Sequence, residues 1–164
     1  MKTIYLVRHA KSSWDFVELP DDQRPLLEVG KKRTRKVINA LLEKKITVPQ
    51  LIISSHAIRA YETAKLFARA LDYSSEQIQI SRQVYFGDAE QLFDQFYGLD
   101  DSINSVMLVG HNPTLTQFVN LFAGNPIDNL PTSGVVGILF QTDKWTEISF
   151  AAAKRSLTIF PKKI

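Results

Sequence analysis

The 164-residue chain reads as an α/β protein, a three-layer α/β/α arrangement with a mostly parallel central sheet and an antiparallel extension. Three observations predict it. Short runs of branched apolar residues alternate with segments of helical period, the grammar of strand–helix–strand units. The first three clear runs are continuously apolar, as strands covered on both faces are. No linker, low-complexity tract or internal repeat interrupts the pattern, so residues 1–164 are read as one domain, long enough to bury a core without staples.

Ile4-Tyr5-Leu6-Val7 forms the first strand and stops abruptly at Arg8-His9. Residues 10–25 are polar and punctuated by Pro20 and Pro25, which makes them a loop. Thr34, Val37, Ile38, Leu41 and Leu42 then recur at helical spacing. Leu51-Ile52-Ile53 is a second strand, and Ser54 or Ser55 is expected to cap the following helix. The buried stripe of that helix is Ala57, Ala60, Tyr61, Ala64, Phe67, Ala68 and Leu71. Ile78 to Ile80 reads as a short strand, and Leu92, Phe93, Phe96 and Tyr97 as a helix. Val106-Met107-Leu108-Val109 is a third buried strand, ended by Gly110-His111. Asn112-Pro113 looks like an N-cap followed by proline at the first helical position, ahead of a stripe of Leu115, Phe118, Val119 and Phe122. After the turn-rich stretch from Gly124 to Gly134, three segments read as strands: Val135 to Gln141, Trp145 to Ala151, and Leu157 to Phe160. The first three clear strands are expected at the parallel centre and these later ones in the antiparallel extension.

Charge and composition narrow the function. The 20 Lys plus Arg against 17 Asp plus Glu give a net charge of +3, and the excess is concentrated in Lys31, Lys32, Arg33, Arg35 and Lys36. Without those five the chain is slightly acidic, so a pervasive basic surface for nucleic acid is not expected. The cluster reads first as a solvated helix face and second as a docking patch for an acidic protein. No segment approaches the roughly 20 apolar residues of a membrane helix. Only Thr3 to Val7 separate Lys2 from Arg8, too short a run for a signal peptide, so a cytoplasmic protein is expected. The absence of cysteine excludes disulfides, a thiol nucleophile and any cysteine-bearing metal centre.

Three strands end in polar groups: Arg8-His9, Ser54-Ser55 leading to Arg59, and His111-Asn112. Open α/β sheets bind ligands outside the carboxyl ends of their strands, so these groups are expected to converge. Guanidinium forks pair with phosphate oxygens, and a neutral imidazole can attack phosphorus. Helix N-termini after Ser55 and Asn112 would add backbone donors for the same anion. Taken singly, either histidine is more often structural than functional; jointly with Arg8 and Arg59 they point to phosphoryl chemistry.

Leu6-Val7-Arg8-His9-Ala10-Lys11, Ser54-Ser55 with Arg59-Ala60 and Thr63-Ala64, and Val109-Gly110-His111-Asn112-Pro113 together resemble the histidine phosphatase superfamily, with its phosphoglycerate-mutase-like fold. The short chain, the Arg24-Pro25-Leu26 step and Pro131-Thr132-Ser133-Gly134 are similar to the small SixA-type phosphohistidine phosphatases. The resemblance implies a metal-independent phosphatase with no cofactor. His9 would be the nucleophile, flanked by Arg8, with Arg59 and His111 completing a phosphate pocket and a phospho-His9 intermediate hydrolysed by water. Lys11, Ser12, Asp15 and Asn112 are candidates to touch the substrate.

Two positions depart from the usual pattern. Lys11 stands where many relatives carry glutamate, and Asp15 where many use asparagine. Asp15 could serve as a general acid or pair with Arg24; Asp88 and Glu90 are the other candidate proton donors. A weak general acid suits phosphohistidine, because imidazole leaving from its protonated form departs neutral, with a conjugate-acid pKa of about 6.5, whereas an alkoxide needs a proton. The expected substrate is therefore phosphohistidine in a partner protein. The alternatives are small phosphate monoesters, such as a sugar phosphate or nucleotide, and a non-catalytic phosphate-binding module. His56 is read as a helix-start residue before a pocket residue.

Overall fold

The computed structural model describes residues 1–122 and 124–163. Strand β1 (Lys2–Arg8) is followed by helix α1 (Glu28–Glu43), β2 (Leu51–Ser55), α2 (Ile58–Ala70), β3 (Gln79–Ser81) and the short helix α3 (Arg82–Phe86). Two single turns, α4 (Ala89–Leu92) and α5 (Asp94–Tyr97), lead to β4 (Ser105–Gly110), α6 (Thr114–Val119), β5 (Val135–Phe140) and β6 (Ala153–Ile159). The six strands form one sheet in the order β3-β2-β4-β1-β5-β6. Its β3-β2-β4-β1 half is parallel, while β5 and β6 run antiparallel.

The period of two in the strands builds three layers. Ile4, Leu6, Ile53, Val106 and Leu108 point to one face, where Leu92, Phe93, Phe96, Leu115, Phe118 and Trp145 cover them. Their neighbours Tyr5, Val7, Ile52, Met107 and Val109 point to the other, against Val37, Ile38 and Leu41 of α1 and Ala60, Ala64 and Phe67 of α2. Both faces of the centre are thus dry, which is why β2 and β4 are apolar without alternation. The small residues of α2 let it lie close to the sheet. Lys2 is fully buried at the edge of this core, and its ammonium is satisfied by the carbonyls of Asp101 and Ile103 and by Asn104 Oδ1.

Several boundaries differ from the sequence reading, each for a local reason. Trp145 to Ala151 is not a strand: Trp145–Glu147 is a 3-10 turn, with Trp145 and Ile148, three apart, both fully buried and Phe150 exposed. The last strand begins instead at Ala153, where a half-exposed edge pattern hides it behind Lys154 and Arg155. The helix expected over Leu92 to Tyr97 is broken into α4 and α5 around Phe93, with Leu92, Phe93 and Phe96 still buried. Leu42 is 45% exposed, one residue off the α1 stripe. Helix α6 begins at Thr114, so Pro113 precedes the helix and Asn112 caps from one residue further back, its Oδ1 accepting from the Thr116 backbone and hydroxyl. Neither Ser54 nor Ser55 is the N-cap of α2; Ala57 holds that position, and Ser55 Oγ accepts from its backbone N–H at 3.2 Å. No helix among the described residues is long and apolar enough to cross a membrane.

One contact ties the long loop after β1 to the start of α1. Leu27 N–H donates to the Lys11 carbonyl at 2.9 Å, and at Gly30 a Cβ would lie 2.5 Å from that same oxygen. Replacing a helical glycine by alanine ordinarily gains about 0.5–1 kcal/mol. Gly30→Ala should do the opposite, losing about 1–3 kcal/mol as the Lys11 backbone is pushed aside. Chemical denaturation of the two proteins measures the sign, and a stabilised variant would contradict this packing.

Candidate active site

Register in the parallel half brings the functional ends together. Arg8 of β1 lies opposite Gly110 of β4, and Ser54 of β2 opposite Val109, so the residues just beyond these strands emerge at one edge of the sheet. His9 N–H continues the ladder by donating to the Gly110 carbonyl at 3.1 Å. The His9 and His111 rings stand 5.1 Å apart, centre to centre. Together with Arg8, Arg59, Arg24, Lys11, Ser12 and Asn112 they line a cavity of about 350 Å³, which also meets Trp14, Asp21 and Thr132.

His9 is nearly buried, and its Nδ1 lies 2.8 Å from the carbonyl oxygen of Ala10. A carbonyl only accepts, so Nδ1 carries the proton and Nε2 keeps a free lone pair. Burial, reinforced by the positive charges of Arg59, Arg8 and Arg24, pulls the imidazole down from 6.5 to about 4, although the Ala10 hydrogen bond opposes the shift. His111 is pulled further, to about 3, first by burial and then by His9 and Arg59. Its Nε2 is 2.8 Å from Ser55 Oγ, while Nδ1 has no hydrogen-bond partner. Both rings are therefore neutral at physiological pH.

The arginines are held by partners that fix their planes. Arg8 Nη1 donates to the Leu130 carbonyl at 3.1 Å, and its Nε is left buried and unpaired. Arg59, only 6% exposed although it sits on the first turn of α2, donates through Nη1 to the Asp21 carbonyl and through Nη2 to Asp21 Oδ2 at 2.9 Å. Arg24 Nε reaches Asp21 Oδ1 at 3.0 Å, and its Nη1 reaches Ser12 Oγ at 2.8 Å. The Arg24 guanidinium lies 3.6 Å from the ring centre of Trp14. Tyr85 O–H donates to Asp21 Oδ2. That hydrogen bond and the two arginines hold the Asp21 carboxyl well below the usual carboxylate range, and the Tyr85 phenol is pushed up in turn.

Sequence reasoning does not find Asp21 or Tyr85, nor the second cavity that Asp15 joins. Asp15 is exposed and lines a separate hollow with Phe16 to Leu19, and the partner of Arg24 is Asp21 in its place. Asp88 is exposed and caps α4, its Oδ1 accepting from Gln91 N–H at 2.9 Å, and Glu90 is exposed on the same turn. Neither lines the cavity that holds His9. Asn112 is in the cavity wall with its amide donating to Asn129 Oδ1 and the Leu130 carbonyl, each at 2.8 Å. Lys11 is exposed at the rim. His56 pairs with Asp22 at 3.0 Å and stacks near Phe86, outside the cavity lining.

A neutral imidazole nitrogen with a free lone pair thus sits within a group of guanidinium donors, a combination chemically suited to attack on a phosphorus centre. A model of the histidine phosphatase superfamily (branch 1) matches residues 4–102. An uncharacterized chloroplastic protein of Arabidopsis thaliana is 31% identical over 155 residues, covering 89% of this chain and 70% of its own. The protein histidine phosphatase SixA, solved with tungstate, superposes with a TM-score of 0.81 at 19% identity over 98% of each chain. A mycobacterial glucosyl-3-phosphoglycerate phosphatase has a TM-score of 0.65 at 13% identity, over 96% of this chain and 98% of that one.

Because protonation is disfavoured by burial and by neighbouring cations alike, the two imidazoles should charge only as the pH falls toward 4. An NMR titration should find the His9 and His111 ring protons at neutral-form positions from pH ~8 to ~5.5. A midpoint near the ordinary 6.5 for either would contradict the electrostatics described.

Proposed function

Because the chain belongs to the histidine phosphatase superfamily, we propose that it hydrolyses phosphohistidine in a partner protein through a covalent phospho-His9 intermediate. The observation that carries the reading is the Nδ1 hydrogen bond of His9 to the Ala10 carbonyl, which leaves Nε2 as a lone-pair nucleophile in the cavity. Attack through Nε2 moves no proton. The N–P bond forms as the P–N bond of the protonated phosphohistidine breaks, and the departing imidazole, which keeps the proton on its other nitrogen, leaves neutral. Water then attacks the phosphorus, and His9 leaves as a neutral imidazole because its Nδ1 proton was never lost.

Arg8, Arg59 and Arg24 spread their donors around the three charged oxygens in transit, where most of the catalysis of phosphoryl transfer lies. The Nε groups of Arg8 and Arg59 have no protein partner. Ser55 Oγ accepts from the Ala57 backbone and meets His111 Nε2 at 2.8 Å, which orients the His111 ring beside His9. Lys11 adds charge from the rim and Asn112 shapes the wall.

A protein-borne substrate is favoured by the surroundings of the cavity. Trp14, which lines the cavity, is 73% exposed, and Phe16 and Val17 two and three positions on are also open to solvent, exposed apolar residues of the kind that mark protein contact. The basic residues Lys32, Arg35 and Lys36 are exposed on α1, whose first turn packs on Lys11.

A phosphohistidine-bearing protein and a simple aryl phosphate, offered in parallel, test the reading by released phosphate and acid-labile protein-bound phosphate. The expected result is turnover of the phosphoprotein and its loss, by at least about a thousandfold, in His9→Ala. Undiminished hydrolysis in that variant would overturn the nucleophile. Preference for the aryl ester by orders of magnitude would identify a small-ester phosphatase, and turnover of neither a binding module. The double variant Lys32→Glu, Lys36→Glu should slow the phosphoprotein by about tenfold, with a weaker salt dependence, and leave the aryl ester unchanged. Equal effects on both would remove α1 from substrate docking.

A further inference from the structure

Among the described residues that line the cavity, Asp21 is the only one with a carboxyl group. It cannot give a proton. Oδ2 accepts from Arg59 and from Tyr85, and Oδ1 from Arg24, so the group is held as a carboxylate by three donors. The remaining candidates are spoken for or lie elsewhere: Asp15 is in a separate hollow and Asp88 is committed to Gln91. Neutral His9 and His111 are hydrogen-bond donors at most, and the one ammonium in the lining, that of Lys11, belongs to a residue exposed at the rim. With no carboxylic acid free in this cavity, the leaving groups it favours are those that depart with their electron pair and no proton.

That condition selects by chemistry, not by shape. Alkoxides are nearly as basic as hydroxide, whose conjugate acid has a pKa of about 15.7. An imidazole protonated on its other nitrogen leaves neutral, with a conjugate-acid pKa of about 6.5, and a carboxylate, at about 4, is a better leaving group still. We propose that the same cavity hydrolyses acyl phosphates, the mixed anhydrides of a carboxylic acid and phosphate, as a second substrate class; the proposal rests on the phospho-His9 reading above.

The step balances without a co-reactant other than water. His9 Nε2 donates its pair to phosphorus as the acyl P–O bond breaks, and that bond's electrons leave on the carboxylate. The Nδ1 proton stays against the Ala10 carbonyl. Water then forms the new P–O bond, the P–N bond breaks with its pair returning to Nε2, and the proton of water goes to phosphate or solvent. A cavity of about 350 Å³ holds a phosphoryl group and a short acyl chain together.

Acetyl phosphate is the probe, with phosphoserine as an alkyl ester and a phosphohistidine-bearing protein alongside, each corrected for its spontaneous hydrolysis. The expected kcat/KM for acetyl phosphate exceeds that for phosphoserine at least ~100-fold, the lower range of what a general acid supplies when present. Acid-labile phosphate on His9 of the wild-type protein after mixing with acetyl phosphate, found by mass spectrometry, is the second expected result and needs no variant. His9→Gln should abolish both.

Hydrolysis of acetyl phosphate at only the spontaneous rate while the phosphohistidine protein turns over would overturn this inference alone. Comparable rates on acetyl phosphate and phosphoserine would also overturn it, by revealing a proton donor. Failure on every substrate would instead bring down the phosphatase reading, and this inference with it.

Discussion

Cations drawn to one cavity repel one another, and the counter-charge that lets this molecule keep them there is Asp21. One carboxylate ties the Asp21–Gln23 turn to α2 through Arg59, to the following loop through Arg24, and to α3 through Tyr85. Unit charges a few ångströms apart interact by roughly 4 kcal/mol at the effective dielectric of a protein surface, so the arginines could not be stacked up unpaired. The same bridge orients two guanidinium planes. It also uses up all of Asp21's capacity for a proton, so the feature that makes the pocket electrostatically tolerable leaves it without an acid. Tolerance of the arginines and lack of a free carboxylic acid are two results of a single contact.

The sheet supplies the rest by geometry alone. With β1 between β4 and β5, and β2 on the far side of β4, the chain ends of three parallel strands emerge side by side. His9, Ser55 and His111 then meet without any of them being steered by a long loop. Their position at the edge of two dry layers explains the neutrality of both imidazoles, since burial is the largest influence on each.

How much of this is legible in the chain follows from the range over which each residue acts. Strand ends are local, so an apolar run halted by Arg8-His9 or Gly110-His111 declares its site directly. Arg59 is legible only in company: as a lone helix residue it would be exposed, yet it is buried because Asp21, 38 positions earlier, receives it. Tyr85 contacts Asp21 across 64 positions and no spacing advertises it. The loop from 10 to 25 carries no periodicity that would rank its acids, and Asp21 does the pairing for which Asp15 is the candidate by sequence. The C-terminal difference has a comparable cause: an edge strand exposes every other residue, and Lys154 and Arg155 make it look like a loop.

The hydrogen bond that sets the His9 tautomer has an acceptor no side-chain substitution can delete, because it belongs to the backbone of the next residue. Ala10 is fully buried, and its own N–H donates to Thr63 Oγ1 at 2.9 Å, which anchors the peptide against α2. Drift in sequence at position 10 is thus limited by volume and not by chemistry, and the protonation pattern of His9 is insulated from mutation. In related chains the residue after this histidine should accordingly vary among small side chains without loss of the reactive nitrogen. Altering the tautomer itself would take a backbone edit, such as weakening that carbonyl as an acceptor by an amide-to-ester exchange.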